Sequence, residues 1–139
     1  MTARYIDDLA DYLAANVTGL ARFNPDTNPT GNTRTDTVDV DRLRALQVIC
    51  FEGAPRDQLS LGQSNPVRHV NTHVEVFGET FQAHDMALSV YNLLNGMPTF
   101  TQGDTTFMRV ELGGGIIPRG QWKPGITNYG IDLEIKYHQ

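Results

Sequence analysis

The fold is decided by the stretch Asn128-Tyr-Gly-Ile-Asp-Leu-Glu-Ile-Lys-Tyr137, in which an apolar side chain recurs at every second position. Successive side chains of a strand point to opposite faces of its sheet, so this alternation predicts a strand with one buried face and one wet face. The predicted buried positions are Tyr129, Ile131, Leu133, Ile135 and Tyr137. The strand is therefore expected in a sheet that is covered on one side only.

A second alternating stretch, Arg68 to Phe77, predicts another strand of the same kind. Its buried face would carry Val70, Thr72, Val74 and Val76, and its wet face His69, Asn71, His73 and Glu75. Two apolar runs, Leu46–Glu52 and Thr105–Leu112, are also predicted to be strands, and Cys50 is expected to be a buried small side chain within the first of them.

Two other stretches repeat apolar side chains at helical spacing. Residues 3–18 place Ile6, Leu9, Leu13 and Val17 on one side, and residues 79–95 do the same with Ala83, Ala87, Val90, Tyr91 and Leu94. The predicted order is helix, strand, strand, helix, strand, strand. We expect a single α+β domain over residues 1–139, with a four-stranded, mostly antiparallel or mixed sheet and two helices packed mainly on one face.

Three segments without periodicity are expected to be loops. Residues 24–41 are polar and rich in turn residues, and together with the residues up to 45 they predict a long loop or flexible arm. The other two expected loops are residues 56–66 and the Gly/Pro-punctuated residues 113–125.

Charge and composition exclude several functional classes. The formal net charge is -5, so a protein that grips nucleic acid through its phosphates is not expected. The single cysteine excludes an intramolecular disulfide. We find no secretory signal and no apolar run near the ~20 residues that a membrane helix needs, so a cytoplasm-like compartment is expected.

Two loop motifs fail on their spacing. Asp26-Thr-Asn-Pro-Thr-Gly31 begins like a calcium-binding loop, but Thr37 stands where the closing acid is required. A metal-dependent module that uses Asp36, Asp39 and Asp41 in another geometry remains an alternative. Gly115-Ile-Ile-Pro-Arg-Gly120 has the glycine spacing of a phosphate-binding loop, but the lysine and hydroxyl that should follow are missing.

The histidines make no convincing catalytic or metal site. His69 and His73 would lie about 13 Å apart on a strand, which is too far to share a metal ion. His84-Asp85 would need a nucleophile, and the nearest serine, Ser64, lacks the sequence context of a nucleophile elbow. We therefore expect no enzyme activity, no cofactor and no metal site.

The segment from Ile117 to Gly125 is the best candidate for a contact surface. It holds the only tryptophan, Trp122, between Arg119 and Lys123, and Trp and Arg are enriched at interface hot spots. The alternative is that Trp122 folds back over the edge of the sheet as a lid on the core.

The layout resembles the minor capsid or tail-terminator proteins of long-tailed bacteriophages. The similarity covers most of the chain and rests on the order of its motifs. These are the opening helix Tyr5–Asn16, the strand exit Glu52-Gly-Ala-Pro55, the helix ending Ala87–Gly96, and a last strand after a Pro/Gly-rich loop. The stretch Gln121–Thr127 departs from the acidic, Arg-containing pattern that often precedes the family's last strand, which leaves the subgroup open.

The resemblance implies a structural virion protein that forms a ring, generally of six copies, in the tail or neck after assembly in the host cytoplasm. Its expected partners are itself, the tail-tube protein and a head-side connector or stopper protein, with DNA passing through the lumen without specific binding. The expected contacts between subunits or rings are Arg34, Asp36, Arg119, Trp122 and Lys123. The alternatives are another neck or head-completion protein and a small ligand-binding or enzymatic α+β domain.

Overall fold

The structure is a computed structural model, and it describes residues 4–53 and 67–139. Its helices are α1 (Tyr5–Asn16), a 3₁₀ turn (Val40–Arg42) and α2 (Thr80–Leu94). Its strands are β1 (Thr33–Thr35), β2 (Gln47–Phe51), β3 (Arg68–Glu79), β4 (Phe100–Gln102), β5 (Thr105–Leu112), β6 (Ile117–Lys123) and β7 (Ile126–His138). The fold is α+β, with two α-helices and a mixed sheet.

The centre of the sheet is the antiparallel pair of β3 and β7, which runs from Arg68 opposite Tyr137 to Glu79 opposite Ile126. The strand order is β1-β2-β3-β7-β5-β4, and β6 also pairs with β7. The second half of β7 pairs with β5 and its first half with β6, so two strands share one long neighbour. Among the strands that the structure describes, β1 and β2 form the parallel pair and the other pairs are antiparallel.

The expected four-stranded sheet is corrected, because the described part of the chain already contributes seven strands to it. The prediction of a loop over residues 113–125 is wrong for β6, because Pro118 and Gly120 are tolerated in this strand. Its only strand partner among the described residues is β7, and the register shifts at both Pro118/Gly120 and Gln121/Lys123. A strand paired on one side with bulges accommodates proline and glycine that a central strand would not.

Both α-helices cover the same face of the sheet, which we call the helix face. The predicted apolar stripe of α1 is confirmed, since Ile6, Leu9 and Leu13 are fully buried and Val17 nearly so. On α2 the stripe is confirmed at Ala83, Ala87, Val90 and Leu94, whereas Tyr91 is only half-buried. The sheet contributes Val48, Cys50, Val70, Val74, Val76, Ile131, Leu133, Ile135 and Tyr137 to the same core.

Neither α1 nor α2 lies on the other face, which we call the open face, but that face is partly buried. A small apolar cluster there joins Leu43, Ile49, Phe77 and Ile126. The expectation that Glu75 faces water is wrong, because its residue is only 8% exposed. Its cover comes from the side chains of β6 and β7, which local alternation in β3 does not reveal.

The segment 24–45, expected to be a long loop or flexible arm, contains regular structure, namely β1 and the 3₁₀ turn. Asn32 holds the preceding turn in place, because its side chain accepts from Ala21 N and donates to Gly19 O, both at 2.9 Å. Thr33 is fully buried and its backbone bonds to Ala21 and Phe23. The polar side chains that suggested a mobile arm are therefore used in hydrogen bonds to the backbone. The loop expected at residues 56–66 lies outside the described residues.

Candidate functional site

Three of the predicted contact residues lie together on β6. Trp122 is half-exposed, and its ring meets Phe77 edge-on with centroids 5.2 Å apart. Lys123 is exposed and precedes the Pro124-Gly125 turn into β7. Trp122 therefore contacts the open-face cluster through Phe77 while half of its surface stays accessible.

Arg119 fastens β6 to the open face. Its Nε lies 3.3 Å from Glu75 Oε1, and its Nη2 donates to Asp132 Oδ1 at 3.1 Å. Gly130 makes room for this arrangement, because a Cβ built there would collide with Glu75 Oε2 and Arg119 Nε. The Arg119 side chain is therefore partly committed to a contact within the chain, with a third of it exposed.

The other two predicted contact residues lie at the opposite side of the sheet, in and after β1. The Arg34 guanidinium lies 3.7 Å above the centroid of the Phe23 ring. Asp36 accepts from Arg4 Nη2 at 2.9 Å and from Glu52 N at 3.1 Å. Four strand-to-strand steps separate β1 from β6, or about 19 Å at the usual strand spacing. The predicted residues therefore form two groups on different edges rather than one site.

Beside β1, ion pairs link α1 to the segment that follows it. Arg4 lies within 3.2 Å of carboxylate oxygens of Asp7, Asp36 and Glu52. Arg22 pairs with Asp7 at 3.0 Å and with Asp11 at 2.9 Å. Burial alone would raise the pKa of Asp7, but the hydrogen bonds from Arg4 and Thr35 and the two arginine charges outweigh it, so that the pKa is lowered.

Replacing Asp7 by asparagine is expected to destabilise the protein at neutral pH and to matter less in acid. The lowered pKa of Asp7 means that its stabilisation is present above its ordinary value of 3.8 and is lost as the pH falls through the folded-state value. Urea unfolding at pH 7 and pH 3 would show a lower midpoint for D7N at pH 7 and a smaller difference at pH 3. The exposed Asp85 provides the control D85N, and an equal loss for D7N at both pH values would contradict the ion-pair account.

Large apolar side chains are exposed at the end of the molecule where the β6–β7 turn lies. Phe81 is 85% exposed at the start of α2, and Val40 is 59% exposed on the 3₁₀ turn. Phe81 and Gly125 of the β6–β7 turn line the same shallow pocket, and Leu43, which follows the 3₁₀ turn, packs with Ile126 at the start of β7. We call Val40, Phe81 and Trp122 the apolar end. Exposed aromatic groups gathered at one end are typical of a surface that contacts another protein.

The pattern in the sequence did not single out Phe81, Val40 or Glu75. For Phe81 a signal existed, since it is a large apolar residue that lies off the predicted stripe of α2. For Glu75 no local signal existed, because its neighbours Arg119 and Asn128 are more than forty residues away in the chain.

The described residues include the histidine–aspartate pair and the cysteine that the sequence analysis considered. In residues 4–53 and 67–139, no three His, Cys, Asp or Glu side chains are placed to hold a metal ion. His84 Nδ1 lies 3.9 Å from Asp85 Oδ1 on an exposed part of α2, and Ser64 lies outside the described residues. Burial raises the pKa of the Cys50 thiol to about 12, which leaves it an unreactive core group at neutral pH.

No protein-family model matches the chain, and no curated protein matches it. In the part of the chain that the structure describes, no helix is both long and apolar enough to cross a membrane.

Proposed function

We propose that the protein is a structural virion component, a tail terminator whose copies form a ring that ends the tail tube and joins it to the head. The observation that carries the proposal is the placement of the predicted contact residues on two edges of one sheet, with Arg34 and Asp36 at β1 and Arg119, Trp122 and Lys123 on β6. A ring of identical subunits needs two different surfaces on each copy, one for each neighbour. The family resemblance supplies the expected number of six.

The apolar end supports the proposal by offering a surface for a neighbouring protein. Phe81 and Trp122 are aromatic and exposed, and aromatic residues are enriched at the centres of interfaces. In the proposed assembly this end contacts the adjacent subunit or the adjoining ring, which is built from the tail-tube protein or a head-side connector. The net charge of -5 suits a lumen that DNA crosses without binding.

The test is the native mass of the purified protein over a wide concentration range, by light scattering coupled to size exclusion. A species of about six times 15.5 kDa would support the ring. If the protein stays monomeric, binding to isolated tail tubes becomes the test, because a ring interface that is weak at free concentration can still form on a template. A tight dimer that ignores tail tubes would contradict the proposal.

Replacing Trp122 by alanine is expected to weaken assembly and to leave the monomer folded. The substitution removes a half-exposed ring that meets the ring of Phe77 edge-on. A single interface aromatic contributes about 2 kcal/mol or more at a hot spot. The affinity of W122A for its neighbours in the ring, or for the tail tube, should therefore fall at least tenfold. The matched control is Leu88→Ala, which removes an exposed apolar side chain on α2 rather than on β6. Loss of the monomer's circular dichroism signal in W122A would assign Trp122 to the core instead.

A second candidate is a ligand-binding α+β domain. The open face holds a groove of about 310 Å³ between β3 and β7, with Asn71, His73, Asp132 and Glu134 among its lining residues. Polar groups that converge on a concave surface are typical of small-molecule sites. A tight dimer in the mass measurement, together with a melting shift on addition of a small cation or metabolite mixture, would favour this candidate over the ring.

A further inference from the structure

Two buried oxygen atoms on the open face have no hydrogen-bond partner within residues 4–53 and 67–139. They are Glu75 Oε2 and Asn128 Oδ1, which belong to residues that are 8% and 7% exposed. The other polar atoms of the same two groups do meet, since Asn128 Nδ2 donates to Glu75 Oε1 at 3.4 Å. A buried polar atom without a partner costs about 1–3 kcal/mol, so two of them in one pair of side chains require an explanation.

The explanation lies in the protonation state of Glu75. An ionised carboxylate and an amide oxygen are both acceptors, and two acceptors cannot satisfy each other. A proton on Oε2 turns the carboxyl group into a donor, and a carboxylic acid can make two parallel hydrogen bonds with a carboxamide. We propose that Glu75 is a proton-dependent latch: as an acid it donates from Oε2 to Asn128 Oδ1, and as a carboxylate it holds Arg119 and thereby the β6–β7 hairpin.

The groups around Glu75 oppose one another. The Arg119 guanidinium from β6 and His73 on β3 itself favour the charged form. From β7, Gly130 lies opposite Glu75 and Asp132 adds a negative charge that Arg119 shares. On β2, the residue that pairs with Glu75 is the apolar Ile49. Burial has the largest effect, and because it outweighs these charges it raises the pKa of Glu75 above its ordinary value of 4.5.

The sign of the resulting pH dependence follows from the raised pKa. Between 4.5 and the folded-state value, the folded protein binds a proton that the unfolded chain has released, so the contribution of Glu75 to stability falls as the pH rises through this window. Asp7 has the opposite dependence, because its pKa is lowered. Above the folded-state value Glu75 is charged and paired with Arg119, and below that value the neutral Glu75 gives up this ion pair while Arg119 keeps the one with Asp132.

Trp122 reports on the latch because it is the only tryptophan and lies three residues after Arg119 on β6. Its contact with Phe77 depends on how β6 sits over the open face. The intrinsic fluorescence of Trp122 is therefore expected to titrate together with the Glu75 carboxyl group, with an apparent pKa above 4.5.

The experiment measures the wild-type protein and one variant. A ¹³C NMR titration is expected to show the Glu75 carboxyl carbon titrating above the ordinary glutamate value, with Trp122 fluorescence following it. Glu75→Gln places an amide donor where the acid proton would be, so it can satisfy Asn128 Oδ1 at every pH. We expect E75Q to raise the melting temperature at pH 7 by about 3 °C or more and to abolish the fluorescence titration.

The matched control is Glu52→Gln, which neutralises a half-exposed glutamate that pairs with Arg4. E52Q is expected to leave the fluorescence titration of Trp122 unchanged and to give no increase in melting temperature. A Glu75 carboxyl that titrates at or below its ordinary value would overturn the latch, and so would E75Q that is as destabilised as Glu75→Ala. The native mass enters none of these readouts, so the latch and the proposed ring can fail separately.

Discussion

Replacing Phe107 by alanine is expected to lower the free energy of unfolding by about 3–5 kcal/mol, the usual cost of deleting a buried phenylalanine ring. Phe107 is fully buried on β5, and its ring stacks on Phe100 with centroids 4.8 Å apart. Phe100 in turn stacks on Tyr12 of α1 at 4.1 Å. The substitution therefore leaves a cavity and also interrupts the aromatic contacts that join α1 to the β4–β5 hairpin.

Chemical and thermal unfolding would measure this effect, and the melting temperature should fall by on the order of 10 °C. The control is Met108→Ala on the same strand, because Met108 is 37% exposed and sits where the register of β5 against β7 shifts. We expect the control to lose a small fraction of what F107A loses. Similar losses for both variants would mean that the aromatic contacts do not tie the hairpin to α1.

The positions that the sequence predicts well are those on the helix face of the two central strands, where burial follows the alternation. On β3, Val70, Thr72, Val74 and Val76 are buried as expected, because the helices cover that face from end to end. The same holds for alternate positions of β7 from Ile131 to Tyr137. On this face every second side chain is buried, so the local sequence pattern is enough to predict the strand.

The elements that the sequence misses are stabilised by backbone pairing at the margins of the sheet. Most residues of β6 are exposed on both faces, so its side chains carry no alternation to detect. The strands β1 and β4 have three residues each, which is too short for a period. Such strands form because a neighbouring strand offers backbone hydrogen bonds, which the side-chain pattern does not reveal.

The candidate site shows the same division. Residue chemistry alone picked out Trp122, Arg119 and Lys123, and all three lie on β6. Their separation from Arg34 and Asp36 depends on the strand order, which composition does not encode. The burial of Glu75 depends on a further step, because Arg119 and Asn128 reach it only after β6 and β7 have paired with each other and with β3.

Replacing Gly31 by alanine is expected to cost about 3 kcal/mol, the upper end of the usual penalty for adding atoms to a close-packed site. A Cβ at Gly31 would lie 2.6 Å from the backbone carbon of Arg22 and from Phe23 Cα. These are backbone atoms, so no side-chain rotation can relieve the clash. The chain from Ala21 to Thr33 would have to shift, and with it the bonds between Phe23 N and Thr33 O and between Thr33 N and Ala21 O. Urea unfolding of G31A would measure the loss.

Gly115 is the matched control, because a Cβ there meets nothing within 4 Å. Gly115→Ala should be neutral or slightly stabilising, since it mainly reduces the freedom of the unfolded chain. The comparison separates two views of residues 24–45. If they form a flexible arm, G31A and G115A will behave alike. If they are packed against α1 and β2, as the buried Thr33 and the hydrogen bond from Thr35 to Asp7 indicate, only G31A will lose stability. Any contact that Arg34 or Asp36 makes with another subunit would then start from a rigid edge, with little conformational entropy left to lose on binding.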